Sequence, residues 1–283
     1  MKTRRYMVRC DIEGVTGVVS YEQAEPGKPE YAFGQRMLMS DLLALLGGLV
    51  EGGADEVVIY DEHFYGRNID LDRLPASASV ICGKPPYRPD WAGGLDATFA
   101  GAILMGYHAK AGTPGALLPH TYELETEDIR LNGVSVGEIG VEAAIAGDFG
   151  VPALLVSGDS ACVREAESLL PGIAAVTVKT ALSATGALCY PAAVTAARIR
   201  EAAAAAVRAP PPVKPYRIGP RADLAVRLRD GACLGEVRRS HMGALVDAHT
   251  LRLEGPTATD VWARYLAIKN ACASGGASGN HDT

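Results

Sequence analysis

Three histidines and several carboxylates stand where they could hold metal ions. His63 closes VVIYDEH, His108 closes AILMGYH, and His120 lies in LLPHTY. Asp11 and Glu13 bracket Ile12 at the end of YMVRCDIEG; Asp61 and Glu62 precede His63, and Glu138 lies in VGEIG. Alternation along a strand puts Asp11 and Glu13 on one side. Two like charges there are costly unless something positive lies between them. Asp, Glu and His are the ligands of a hard-to-borderline divalent ion, zinc above all. This carboxylate richness suits more than one ion, because a bridging carboxylate can hold two metals roughly 3.5–4 Å apart. Taken singly, each residue also has a plainer role. Asp11, Glu13 and Asp61 could cap turns, Glu138 could meet a helix dipole, and a lone histidine at a strand end can be an ordinary surface or core residue.

The elements that must position these groups alternate. RYMVRCDI, EVVIYDEH, ASVICG, TFAGAILMGYH, VPALLVSGD and AAVTVK read as strands. Helices are expected over Glu30 to Glu51, over VGEIGVEAAIAGDFG with a stop at Gly150, and over SACVREAESLLPG with Asp159 or Ser160 as N-cap. This βαβα order predicts an α/β fold, a mostly parallel sheet flanked by helices. Ligands collect outside the carboxyl ends of such a sheet, where the histidines and Asp11–Glu13 fall. The alanine-rich helix YPAAVTAARIREAAAAAVRA stops at PPPVKP, Pro210 to Pro215. Beyond it, YRIGPRADLAVRLRD and ALVDAHTLRLEG read as antiparallel strands, and TATDVWARYLAIKNA as a closing helix capped by Thr257. The division expected is a metal-binding catalytic domain at 1–209, a smaller α+β part at 210–273 and a disordered tail at 274–283.

The bulk numbers bound the rest. With 283 residues, 48% hydrophobic and 21% charged, the chain is ordinary globular material. A net charge of −6 lacks the basic footprint of a nucleic-acid binder. Six cysteines without CxxC spacing are expected to be free buried thiols in a reducing compartment. The first residues are basic, but Arg9 and Asp11 break their apolar stretch, so no signal peptide is read there. No run approaches the roughly 18 apolar residues of a membrane span. A cytoplasmic protein with no membrane partner is expected. His241, His249 and His281 lie in the C-terminal part or tail with nothing to pair with.

DIEGVTG from Asp11, YDEH from Tyr60, GYHAKAGTPG from Gly106, PHTY from Pro119 and LNGVSVGEIG from Leu131 occur in that order. Together they resemble the D-aminopeptidase family, the M55 metallopeptidases, over most of Met1 to about Lys179, thinning after the triple proline. The resemblance implies two zinc ions per chain, held by Asp11, Glu13, His63, His108 and Glu138. It implies that Asp11 bridges the ions, that Glu13 and His108 complete one, and that His63 and Glu138 complete the other. It places the catalytic histidine on His120, as general base or nucleophile. The loop before His120 is one residue longer than in the family's type member and carries Leu118-Pro119 in place of small and polar residues. Two such ions hold a free amino group, polarise the scissile carbonyl and make a bound water acidic. Lys110 could neutralise a substrate carboxylate, or stand solvated.

The implied activity is a di-zinc aminopeptidase acting on short peptides or amino-acid amides, with D-residues at the amino end. The resemblance further implies a ring-shaped homo-oligomer, a decamer in the family's type member, whose inner channel admits only small peptides. The alternatives are a metal-dependent amidase or peptidase with L- or β-amino-acid specificity, and a non-catalytic peptide-binding component of a transport system.

Overall fold

A computed structural model describes residues 3–275. In chain order the elements are β1 (Arg5–Cys10), α1 (Tyr21–Ala24), α2 (Tyr31–Gly52), β2 (Glu56–Asp61), β3 (Ala78–Ile81), β4 (Phe99–Tyr107), β5 (Thr126–Leu131), β6 (Val134–Val136) and α3 (Glu138–Asp148). There follow β7 (Ala153–Asp159), α4 (Ser160–Leu169), β8 (Ala174–Ser183), β9 (Gly186–Cys189), α5 (Ala192–Arg208), β10 (Ala222–Leu228), α6 (Ala232–Ser240), β11 (Thr250–Gly255) and α7 (Ala258–Gly275).

Seven strands form one sheet in the order β3-β2-β1-β4-β7-β8-β9, parallel except for the last pair. Its central strands are continuous apolar runs because helices cover both faces; β1 is buried from Tyr6 to Cys10 and β7 along its whole length. The chain winds outward from β1 through β2 to β3, then reverses through β4 to β7 and β8. That reversal opens a crevice between the carboxyl ends of β1 and β4, where open α/β sheets bind ligands. Asp11 follows β1 and His108 follows β4, so the two flank the crevice. The cap of α4 is Asp159, whose Oδ1 accepts from the Ala161 and Cys162 amides.

The second sheet, β11-β10-β5-β6, is antiparallel. It does not respect the proline run. The β5–β6 hairpin comes from residues 126–136 and pairs with β10 from beyond the prolines, so the smaller sheet draws on both sides of the expected 209/210 division. The hairpin has a weak sequence signal because β6 is three residues long and β5, TEDIRL, carries two adjacent carboxylates and holds only two large apolar residues. Thr257 caps α7, its Oγ1 accepting from the Asp260 amide. The helix runs to Gly275, into the first two residues of the expected tail; the rest of that tail, His281 included, lies outside the described residues.

At 22 residues, α2 has the length and composition of a membrane span, although Gln35, Arg36 and Asp41 interrupt its apolar run. In the fold its Leu38, Leu42, Leu45, Leu46 and Leu49 are buried in the sheet core. Cys10 and Cys162 are buried as expected, whereas Cys82 and Cys189 are exposed, on the segment after β3 and on the edge strand β9.

Candidate metal centre

The site begins with two interlocked backbones. The Asp11 amide donates to Met105 O at 2.9 Å, and the Gly14 amide to Gly106 O at 2.8 Å. A Cβ on Gly14 would stand 1.8 Å from Tyr107 O. Gly106 has φ +77°, and a Cβ there would stand 2.2 Å from Asp11 O. The glycines of D-I-E-G and G-Y-H are therefore required by each other's close approach, and their contact brings Asp11, Glu13 and His108 together. Lys179, fully buried within β8, secures the loop. Its Nζ donates to Glu13 O at 2.6 Å, to Val15 O at 2.8 Å and to Val18 O.

Each histidine has one ring nitrogen pinned to a backbone carbonyl and the other turned toward carboxylates. His63 Nε2 donates to Ala24 O at 2.8 Å, leaving Nδ1 3.1 Å from both Asp11 Oδ1 and Glu13 Oε2. His108 Nδ1 bonds Ala109 O at 3.0 Å, and its Nε2 lies 3.2 Å from Glu138 Oε1 and 3.5 Å from Asp11 Oδ2. His120 Nδ1 bonds Leu118 O at 3.0 Å, with Nε2 3.9 Å from Glu13 Oε1. The rings of His108 and His120 stack at 3.9 Å. The turn carrying His120 is tight, with Leu118 at φ 48° and Tyr122 at φ 58°. Glu138 opens α3 and accepts from the Tyr122 amide at 2.6 Å.

This arrangement fits metal ions. Asp11, Glu13, His63, His108 and Glu138 are all buried. Among the described residues, Asp11 Oδ2, Glu13 Oε2 and His108 Nε2 have no hydrogen-bond partner; Glu13 Oε2 is close to His63 Nδ1 without the geometry of a bond. Burying such atoms is costly unless they are coordinated. A carbonyl on the far nitrogen sets the tautomer that offers a lone pair to a metal. Two groups of potential ligand atoms form, one of Asp11, Glu13 and His63, the other of His108, His120 and Glu138. Asp11 faces His63 with one oxygen and His108 with the other, the geometry of a bridge. The family resemblance put Glu13 with His108 and Glu138 with His63; here Glu13 lies with His63, and Glu138 with His108.

The titration of the cluster follows from burial and crowding. Burial, then the Glu13 charge, raises Asp11 to about 7. Burial also pushes Glu13 upward, but His63, His120 and His108 outweigh it and hold that carboxyl well below its usual range. Burial opposes charge on His63 and His108, yet the carboxylates raise both, His108 to about 10. Burial and the neighbouring His108 lower His120. The carboxylates thus stabilise positive charge on the two nitrogens they face, the electrostatics of a cation site.

The cluster forms one end of a cavity of about 620 Å³, walled by Tyr60, Phe64, Tyr65, Tyr87, Tyr122 and Trp262 among others. Asp61 does not reach it, being held by the Asn68 amide and side chain. Lys110 is likewise turned away, onto Ser135 on β6. Sequence reading missed Lys179, Arg9, Glu142 and Tyr122. The first two carried a signal, a cation inside an apolar strand, and Glu142 stands one helical turn after Glu138.

Acidic residues and histidines gathered outside the switch point of a parallel sheet define a metallohydrolase-type centre. The sequence profile described as D-aminopeptidase, the M55 peptidases, matches residues 5–267, and the chain belongs to that family; it is a metallo-aminopeptidase. The match continues past the proline run. A relative, the D-aminopeptidase of Bacillus subtilis (strain 168), is 32% identical over 206 residues, covering 72% of this chain and 74% of the relative. A solved structure, described as the Zn-dependent D-aminopeptidase DppA from Bacillus subtilis, a self-compartmentalizing protease, aligns with a TM-score of 0.88 at 25% identity, covering 95% of this chain and 98% of that one.

Proposed function

We propose that this chain is a zinc-dependent D-aminopeptidase that removes the first residue from short peptides or aminoacyl amides. The observation that carries it is the convergence of Asp11, Glu13, His63, His108 and Glu138 around unpartnered buried ligand atoms, at the end of a cavity. These five residues would hold two zinc ions per chain, with Asp11 between them. Bound there, zinc supplies Lewis-acid polarisation of the scissile carbonyl and an acidic water. His120 is the residue we assign to the reacting atoms. Its Nδ1 is committed to Leu118 O and its Nε2 is turned toward Glu13 at the cavity, so Nε2 is the atom that accepts or returns a proton. Stacking on His108 and the edge contact with Tyr21 fix the ring.

The assembly we propose is a ring-shaped homo-oligomer, a decamer, supported by the self-compartmentalizing relative. The compartment proposed is the cytoplasm, where the buried thiols of Cys10 and Cys162 stay reduced. The test is paired D- and L-aminoacyl amides on protein of measured zinc content. D-preference with about two zinc ions per chain is expected. Equal or reversed preference refutes the D-specific reading, and zinc below one per chain with activity surviving chelation refutes the enzyme reading. His120→Ala is expected to keep its zinc and lose activity by about 10²–10⁴-fold; intact activity removes His120 from the chemistry.

A further inference from the structure

Beyond the metal ligands, a second pair of carboxylates lines the same cavity. Glu142 stands one turn after Glu138 on α3 and is 3% exposed. Its Oε1 accepts from the Tyr122 hydroxyl at 3.1 Å; its Oε2 lies 3.4 Å from Arg9 Nε but has no hydrogen-bond partner among the described residues. Glu62, whose side chain is 11% exposed, takes the stronger Arg9 contact, Nη1 to Oε1 at 2.6 Å. Lys84 approaches Glu62 Oε2 at 3.6 Å from the more exposed side and donates to the Asp61 and Glu62 carbonyls. Three of the five guanidinium N–H groups go to Glu62, to the Tyr87 hydroxyl at 2.7 Å and to Ala92 O at 2.8 Å, and Nε faces Glu142 without the geometry of a bond. Glu142 is left with a charge neighbour but an open acceptor, in a wall that also carries aromatic rings. Tyr60 and Tyr87 stand edge to face on the Glu62 side, and Tyr122 packs on Trp262 at 4.6 Å on the Glu142 side.

We propose that Glu142 and Glu62, flanked by Tyr60, Tyr87, Tyr122 and Trp262, form a subsite for a protonated primary amine of the substrate. A buried carboxylate oxygen without a donor gains a charge-assisted hydrogen bond from an ammonium group. The Tyr60 ring already carries Arg9 and Lys84, and the Tyr87 ring Arg9, so the rings of the wall serve the hydrocarbon stem of such a cation. The amine is either the α-ammonium of the peptide or an ammonium on the side chain of its first residue. The proposal rests on the aminopeptidase reading for its substrate, and on the cavity alone for its chemistry.

The probe is n-butylammonium chloride, titrated calorimetrically into the zinc-loaded protein against 1-butanol as the neutral control. The cation is expected to bind at least 10-fold tighter than the alcohol, and Glu142→Gln, with zinc content unchanged, to lose at least 10-fold of that affinity. Amine ligation of zinc would survive the substitution. Should Glu142→Gln lose its zinc or its fold, Glu62→Gln decides on the same criterion. Kinetics then separate the two sources. A KM-led loss in kcat/KM on D-alanyl p-nitroanilide identifies the α-ammonium, and a loss confined to D-ornithyl p-nitroanilide identifies the side-chain amine. Binding within twofold of the control, or unchanged within twofold in the variant that decides, overturns the proposal. Absence of all D-aminoacyl amide hydrolysis by wild-type protein would instead overturn the aminopeptidase reading, and the titration would still decide the subsite.

Discussion

Replacing Lys179 with methionine tests how the metal centre is held. The ammonium is fully buried and bonded to three backbone carbonyls of the 13–18 loop, those of Glu13, Val15 and Val18. Methionine fills nearly the same volume but donates nothing, so three acceptors lose their partner, each at about 1–3 kcal/mol. Against this, burial lowers the lysine to about 8 from 10.5. That displacement corresponds to about 3 kcal/mol spent at neutral pH to keep the group charged, recovered when the charge is removed. The balance is a destabilisation of about 3 kcal/mol. The loop carries Glu13, so zinc affinity should fall as well, by about 10–100-fold, the usual effect of removing a group that orients a ligand. Denaturant unfolding of the chelator-treated protein reads the first effect, and competition with a zinc indicator the second. A loss under 1 kcal/mol with unchanged zinc affinity would refute the claim that Lys179 organises the loop.

Three further outcomes follow from the site and its surroundings. Asp11→Asn should lower zinc content to under one ion per chain because Asp11 faces both histidine groups, whereas Glu13→Gln should leave about one; equal losses by mass spectrometry would contradict the bridge. Gly14→Ala should destabilise by about 3 kcal/mol or more, since its Cβ would meet a backbone carbonyl at 1.8 Å; a denaturation midpoint equal to wild type would refute the interlock. Asp41 is raised to about 6, by burial first, against its bonds to Thr16. A carboxyl raised in the fold costs stability progressively as pH rises from its unfolded value near 4 through its folded value, so Asp41→Asn should lessen the rise in stability of metal-free protein as pH falls from 7 to 4.5, by about 2 kcal/mol.

Much of this site was legible in the sequence, for a physical reason. Parallel strands are buried runs, so a polar residue ending one marks the carboxyl edge, and the sequence alone places Asp11, His63 and His108 there. Glu138 was legible as a helix start. What periodicity could not give was the pairing across the crevice. Which carboxylate lies with which histidine depends on side-chain rotamers and on the Gly14–Gly106 contact, neither of which has a period. Lys110 was singled out because it sits in the G-Y-H loop, yet its stem turns outward to Ser135. Lys179 sits in a strand that reads as apolar, and its role appears only once β8 lies against the 13–18 loop.

The proline run marks a change of composition rather than the limit of the site. Trp262, Leu266 and Lys269 come from α7, beyond the prolines, and line the same cavity as the candidate ligands Asp11, Glu13, His63 and Glu138. Trp262 packs on Tyr122, whose amide holds Glu138 and whose hydroxyl holds Glu142. A shift of α7 would therefore act on Tyr122, and through it on one candidate metal ligand and one candidate amine acceptor together. The candidate metal ligands come from the ends of the parallel strands and the start of α3, while part of the cavity wall comes from the C-terminal helix. Substitutions along α7 can then alter which first residue is accepted without touching the residues that bind metal. Trp262→Leu is the direct case. It should change kcat/KM ratios among D-aminoacyl amides of different side-chain size, with zinc content unchanged. A uniform change across all of them would mean that α7 only closes the cavity and does not choose its occupant.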